Sequence, residues 1–379
     1  MKLSARALNR ALLERQSLLR RADLPVVTAA ERVLGLNAQD PNLPYLALWN
    51  RLEGFTIEEL TAAIENGGLV RSTAMRATQH LLSVADFRLI RPQLAPLLRR
   101  VQRTAFGRRT AGADPAALVA EARALLANGR TLTRPELGRL LAPRWPDAEP
   151  SALGWSVQYL EPVVHPAPSG TWNVRGATPF ARADWTGVHR EPTPEDARTL
   201  IRRYLAAFGP ASVADARTWS GLGGLREVFD GLRPELRVFT DAAGAELFDL
   251  PDAPRPDAGV PAPVRLLPEF DATVLAHADR TRIMTGDVRK RVCDGAAVAA
   301  TVLVDGTVAA TWTAKATPDA VTLAVTPFRP LSPPDRSAIE AEATRLLTFT
   351  AAAGSDSRGS ADARVPPPRP LPGGHRGSR

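Results

Sequence analysis

The sequence predicts a mainly helical α+β chain of three tandem modules, each a set of helices followed by a short strand pair. Three observations carry this. At 379 residues and 44% hydrophobic content, the chain is too long for one small core and suits two or three packed modules. Residues 1–110 run as capped amphipathic helices and then two short β-prone stretches, the plan of a winged helix, in which a strand pair stands beside a helix-turn-helix. The same order recurs twice downstream without residue-level identity, so the repeat is structural.

In the first module Ser4 caps a helix through about Leu19, in which Leu8, Ala11, Leu12, Arg15 and Leu18 fall at helical spacing. A second helix fits residues 28–36 and a third 43–52. Thr56 and Glu59 form a capping box that opens TIEELTAAIENGG, stopped by Gly67 and Gly68. LVRSTAM and TQHLLSV read as strands, and residues 86–106 return to helix. The second module, residues 111–190, offers PAALVAEARALLANG, TRPELGRLLA and SALGWSVQYLE as helices and PVVHP and GTWNV as β segments. The third, residues 191–353, offers EDARTLIRRYLAAFG, SVADARTWSGL and LREVFDGL, a strand pair in LRVFTDAAGAELFDL, and a strand-rich extension that includes VRLLPEF beyond the Pro-rich residues 251–263. Residues 354–379 lack the apolar content to bury a core and are expected to be a disordered tail.

Charge narrows the function classes. The formal net charge is +8, and 45 of the 48 basic residues are arginine, the side chain that grips phosphate with a planar fork. An Ala-, Arg- and Pro-rich composition also follows from a GC-rich genome, so distribution says more than the total. Residues 1–110 hold 17 Lys or Arg against 9 Asp or Glu, an excess equal to that of the whole chain, so the first module is the expected polyanion-facing part. No apolar run approaches the roughly 20 residues of a spanning helix, and MKLSARALNR lacks a signal-peptide core, so no membrane partner and a cytoplasmic location are expected. Cys293 is the sole cysteine and the five histidines never fall at i, i+4 spacing, so no disulfide, no metal site and no cofactor are expected.

Four stretches together resemble the helix-turn-helix-42 family, which includes the crosslink-unhooking AlkZ-like DNA glycosylases. They are VLGLNAQDPNLPYLALWNRL (33–52), RSTAMRATQHLL (71–82), YLAAFGPASVADARTWSGL (204–222) with LLPEFDATVLAHADR (266–280), and TVLVDGTVAATWT (301–313). The resemblance implies three winged-helix modules in a C shape around double-stranded DNA carrying alkylated bases, acting as a monomer. It also implies a catalytic pair of Gln or His, an apolar residue, then Gln. Ala38 and Gln39 match; Asn37 departs.

The chemistry of that pair is simple. A purine alkylated at N7 or N3 is already cationic and departs with little protonation, so positioning and electrostatics suffice. The Gln39 amide can accept from a water and donate to sugar or phosphate, though it is no strong base. Asn37 keeps both functions on a stem shorter by one methylene, about 1.5 Å, a shift that matters for positioned groups. Both amides equally suit a structural cap on backbone groups. Asp40 before Pro41 fits a loop or cap residue, or an adjacent base. With three lysines, none in the shared stretches, a Schiff-base lyase step is not expected.

Arg71, Arg76, Thr78 and His80 are candidate DNA-binding residues on the strand pair, the last three sharing a face by alternation; the competing reading is a braced internal polar cluster. His277 and Arg280, beside Asp279, are the other DNA-binding candidates, against structural ion pairing. VDGT is a hairpin turn whose arm suits a DNA groove, and Trp312 is expected in the core. The expected function is therefore a monofunctional DNA glycosylase acting on alkylated purines. A non-catalytic winged-helix DNA-binding protein or regulator is the alternative, and a scaffold independent of nucleic acid is a third reading that leaves the charge asymmetry unused.

Overall fold

The computed structural model describes residues 1–316, 320–352 and 360–364. Ser4 caps α1 (Ala5–Arg15) by accepting from the Ala7 N–H. Helix α2 (Val26–Arg32) stops short of the expected Leu36, because Leu34 and Gly35 turn through positive φ and Leu36–Asn37 becomes strand β1. A Cβ on Gly35 would sit 2.3 Å from Leu82 Cδ2, so this approach requires glycine. Helices α3 (Leu43–Trp49) and α4 (Ile57–Glu65) follow, the second opened by the Thr56–Glu59 capping box. Strands β2 (Leu69–Thr73) and β3 (Gln79–Ser83) pair antiparallel in a sheet of order β1-β3-β2, with Asn37 opposite His80. Ser83 then caps α5 (Val84–Gln93), and α6 (Ala95–Phe106) continues after Leu94.

The second stretch holds α7 (Pro115–Leu125), β4 (Leu132–Thr133), α8 (Arg134–Leu141), α9 (Pro150–Leu160) and β5 (Pro179–Phe180), which pairs with β4. It has its own core, including Leu118, Leu137, Leu153, Val157 and Phe180. The two β segments expected before β5 do not form. Val164 makes only an isolated bridge to Ala181, and 167–173 runs as turns and a bend. Pro166, Pro168, Gly170 and Gly176 break any ladder there, overriding the β propensity of the Val and Trp residues.

Helices α10 (Pro194–Phe208), α11 (Val213–Ser220) and α12 (Leu225–Leu232) lead to the hairpin of β6 (Arg237–Thr240) and β7 (Glu246–Asp249). Phe87 and Ile90 of α5 share one core cluster with Tyr204, Phe208, Phe229 and Phe248. Arg15 adds a buried fork onto Asp249, with both N–O distances at 2.8 Å.

The chain divides into two compact units: Met1–Pro261 with Phe270–Ile283, and Ala262–Glu269 with Met284 onward. Shared apolar packing joins the first and third helical stretches in one unit. The strand-rich extension stands as the other. Strand β8 (Arg265–Leu267) belongs to the second unit and α13 (Ala272–Leu275) to the first. The second unit continues with α14 (Gly286–Val292), the short pair β9 (Cys293–Asp294) and β10 (Ala297–Val298), β11 (Thr301–Val304), β12 (Thr307–Ala316), β13 (Ala320–Pro327), α15 (Pro333–Ala352) and β14 (Ser360–Arg364), its main sheet running β8-β11-β12-β13-β14.

Two expectations change here. Asp305 and Gly306 both take positive φ, as the Asp-Gly turn signal requires, but the β11–β12 hairpin is no free arm: β8 and β13 flank it, and Asp305 Oδ1 accepts from the Ala262 N–H at 3.2 Å. Trp312 is buried with its indole N–H on the Leu267 carbonyl. Within the tail expected to be disordered, Ser360–Arg364 lies parallel along β13, whose open edge offers backbone partners to any extended segment; residues 353–359 and 365–379 lie outside the described residues. Among the described residues no helix is long and apolar enough to cross a membrane.

Candidate active site

The Asn37-Ala38-Gln39 segment leaves the sheet at the end of β1. The Ala38 N–H still donates to the Gln79 carbonyl at 2.9 Å. Beyond it Asn37 Oδ1 accepts from the Gln39 N–H at 3.1 Å, a side-chain turn of the kind Asn and Asp favour. Gln39 is thereby turned out of the sheet and stands exposed, while Asn37 stays 8% exposed. Gln39 Oε1 accepts from the Gln79 N–H at 3.4 Å. In both amides a backbone N–H fixes which end is oxygen, and each NH2 group is without a protein partner among the described residues.

Arg71 of β2 holds this turn from beneath. Its Nε and Nη2 donate to the Ala38 carbonyl at 3.0 and 2.9 Å, and Nη1 has only Ser169 Oγ at 3.5 Å. Burial lowers its pKa from the ordinary value, and Asp40 pulls it back up. Gly170 makes the cover possible: its φ is +90°, and a Cβ there would stand 2.8 Å from Arg71 Cδ.

The turn, Arg71 and the 168–179 loop enclose a cleft of about 410 Å³, within the range of small-molecule sites. Gln39, Asp40, Arg71, Ser169, Arg175 and Thr178 are its polar wall, and Asp40 is the one carboxylate among its lining residues. The loop is fastened to residues 40–45. Trp172 packs edge-on against Tyr45 and donates its N–H to the phenol oxygen; Asn173 and Asn42 exchange two 2.8 Å hydrogen bonds; Arg175 pairs with Asp40 at 3.0 Å. The last pair is exposed on both sides and cheap to open.

Gln79 is braced from behind by His165. The His165 ring sits with Nδ1 3.0 Å from the Pro179 carbonyl and Nε2 2.9 Å from the Gln79 side chain. Burial, then the Arg71 charge, pushes the His165 pKa down to about 3, so the ring is neutral. A carbonyl can only accept, so Nδ1 carries the proton toward Pro179, and the Gln79 Nε2 donates to the Thr73 hydroxyl oxygen at 2.9 Å.

The other sequence candidates are elsewhere. Arg76 and Thr78 do not share a strand face with His80. Arg76 sits at the hairpin tip with φ 54°, donating to the Trp219 carbonyl at 2.6 Å, and the Thr78 hydroxyl turns back to the Met75 carbonyl. The short connection, with Ala77 also at positive φ, replaces strand alternation there by a tight turn. His80 is 3% exposed, with Nδ1 on the Thr78 carbonyl and its pKa pushed to about 3, first by burial and then by Arg76. His277 is 1% exposed and bound to the Phe208 carbonyl; burial likewise lowers its pKa to about 3. Arg280 Nε turns to the His277 carbonyl. A buried neutral imidazole tied to a carbonyl braces the core, so His80 and His277 are corrected from DNA contacts to internal supports. The arginine excess of residues 1–110 is also partly internal, since Arg10, Arg15, Arg51, Arg71 and Arg91 are buried. The 166–178 loop, Gln79 and His165 were not singled out from sequence; the Pro and Gly punctuation of PAPSGTWNVRG is the signal that marks such a loop.

Among the described residues no group of three His, Cys, Asp or Glu side chains converges to hold a metal ion. A family profile described as DNA glycosylase AlkZ-like matches residues 30–349. An interstrand DNA cross-link repair glycosylase of Streptomyces sahachiroi is 27% identical, over 79% of this chain and 85% of that protein. The solved structure of the Streptomyces sahachiroi DNA glycosylase AlkZ superposes with a TM-score of 0.74 at 23% identity, covering 96% of this chain and all of that one, a likeness of fold.

Proposed function

The chain belongs to the AlkZ-like DNA glycosylase family, and from that premise we propose that it is a monofunctional glycosylase hydrolysing the N-glycosidic bond of N7-alkylguanine and N3-alkyladenine in duplex DNA, interstrand crosslinks among its substrates. The observation that carries the reading is the Gln39 amide, turned outward beside Asp40 over an open cleft and oriented by the Gln79 N–H.

The chain's own groups divide the work. Gln39 Oε1 has a second lone pair for the attacking water, and its Nε2 donates to sugar or phosphate. Positive charge develops on the sugar as the base leaves, and the Asp40 carboxylate, released from its exposed pair with Arg175, stabilises it. Arg175, once released, and Arg71 Nη1 are donors for phosphate. A base already made cationic by alkylation requires no strong acid, and none lines this cleft. An open cleft also admits bulky adducts that a snug pocket would exclude. The chemistry uses amides, a carboxylate and water, so EDTA leaves excision intact.

Asn37 supports the second reading, a non-catalytic DNA-binding protein, because its oxygen is spent on the turn. One experiment separates the two. The protein is incubated with a duplex carrying a single N7-methylguanine, and abasic sites are then cleaved with alkali. Strand breaks above the protein-free background support the glycosylase; tight binding without breaks makes the protein a binder.

A further inference from the structure

A second cleft of about 490 Å³ lies where the end of α5, the start of α6, the end of α9 and residues 188–192 meet, away from Gln39. Four arginines line it, Arg91, Arg99, Arg123 and Arg190, against one lining carboxylate, Glu191, which is exposed. Two of the four are neutralised locally. Arg123 pairs with the buried Glu161 at 2.9 Å, and Arg190 forks onto Asp196 at 2.7 and 2.8 Å.

The other two form no ion pair among the described residues. Arg91 is 2% exposed, donates from Nη2 to the Tyr159 carbonyl at 2.9 Å, and leaves its Nε without a hydrogen-bond partner. The Nε of Arg190 is orphaned in the same way. Arg99 is exposed and makes no ion pair or hydrogen bond among the described residues. Burial lowers the Arg91 pKa to about 10, the nearby Glu161 carboxylate pulls it partly back up, and the Arg99 charge pushes it down again. Glu161 is already paired with Arg123, and burying the Arg91 Nε donor without a hydrogen-bond partner is unfavourable unless a further anion completes the site. Pro92, Pro96, Pro162 and Pro192 also line the cleft and offer no N–H, and the His189 ring is held by Asp184 at 3.1 Å, so recognition rests on the guanidinium groups, whose planar donors match tetrahedral oxyanions.

We propose that this second cleft is a phosphate-binding site, built on Arg91 and Arg99, that takes a backbone phosphodiester of duplex DNA or a free phosphate group. Arg99 meets the phosphate at the rim and Arg91 completes the site from within.

The test uses the full chain and undamaged duplex, with affinity measured by fluorescence anisotropy between about 50 and 200 mM salt. For a DNA phosphate, Arg99→Ala weakens binding several-fold at low salt and lowers the slope of log K against log salt by about one, while Arg99→Lys keeps the slope. Arg91→Lys, which keeps charge but loses the planar fork, weakens binding in the same direction. In the second arm inorganic phosphate is titrated in a phosphate-free buffer and Tm is followed. For a free phosphate, Tm rises with phosphate in the wild type, the rise is lost in Arg99→Ala, and duplex binding stays unchanged. If Arg99→Ala and Arg91→Lys, both folded by circular dichroism, match the wild type in both arms, the proposal is overturned. Neither arm reads excision, so a failure of the glycosylase reading leaves this result standing.

Discussion

Three buried histidines make the fold acid-sensitive in a defined window. His80, His165 and His277 each have a folded pKa lowered from 6.5 to about 3, in each case chiefly by burial. A depressed folded pKa means that the unfolded chain takes up protons first, so stability present above pH 6.5 is lost as pH falls toward 3. Between pH 7.5 and pH 5.0 each ring costs about 2 kcal/mol, so three cost about 6 kcal/mol. That is comparable to the whole stability of many domains, about 5–15 kcal/mol. Paired carboxylates contribute little in this window because their unfolded values lie near 4. Urea unfolding at half-unit pH steps supplies the slope, with about three protons taken up on unfolding near pH 5. His80→Asn keeps a donor for the Thr78 carbonyl and removes the titration, so its slope drops by about one proton. A stability that stays flat from pH 7.5 to 5.0, or a His80→Asn slope equal to wild type, refutes the argument.

Two further predictions concern the turn. Asn37→Gln has the family side chain but overreaches the Gln39 N–H, so single-turnover excision falls at least several-fold; Asn37→Asp keeps the acceptor and therefore the turn, and any further loss it shows reports the missing NH2. Arg71→Lys loses the fork on the Ala38 carbonyl, costing about 1–3 kcal/mol in urea unfolding and about tenfold or more in excision, both larger than for Arg175→Lys at the exposed pair.

What was legible in sequence was local. Ser4 and the Thr56–Glu59 box open helices through bonds spanning three residues, and both are where the pattern puts them. The positions of Ala38 and Gln39 were legible as a motif. That Asn37 spends its oxygen on the turn was not, because the choice depends on how β1 leaves the sheet. Arg71, expected at DNA, faces the cleft but turns two of its three nitrogens to the Ala38 carbonyl, and no one-dimensional pattern distinguishes a guanidinium that holds a carbonyl from one that holds a phosphate. His80 and His277 misled for the same reason. The stretch 166–178 failed because its β-prone residues are outvoted by Pro and Gly, and its fastening partners, Asn42, Tyr45 and Asp40, lie more than 120 residues away in sequence.

The most direct test of the account is single-turnover excision of N7-methylguanine from duplex DNA by wild type and Gln39→Ala, with duplex affinity and Tm measured on the same preparations. Wild type is expected to generate alkali-labile sites and Gln39→Ala to lose about 10²-fold in rate, with affinity within about twofold and Tm little changed. A wild type that binds but leaves no abasic sites, or a Gln39→Ala variant that excises at the wild-type rate per folded molecule, contradicts it.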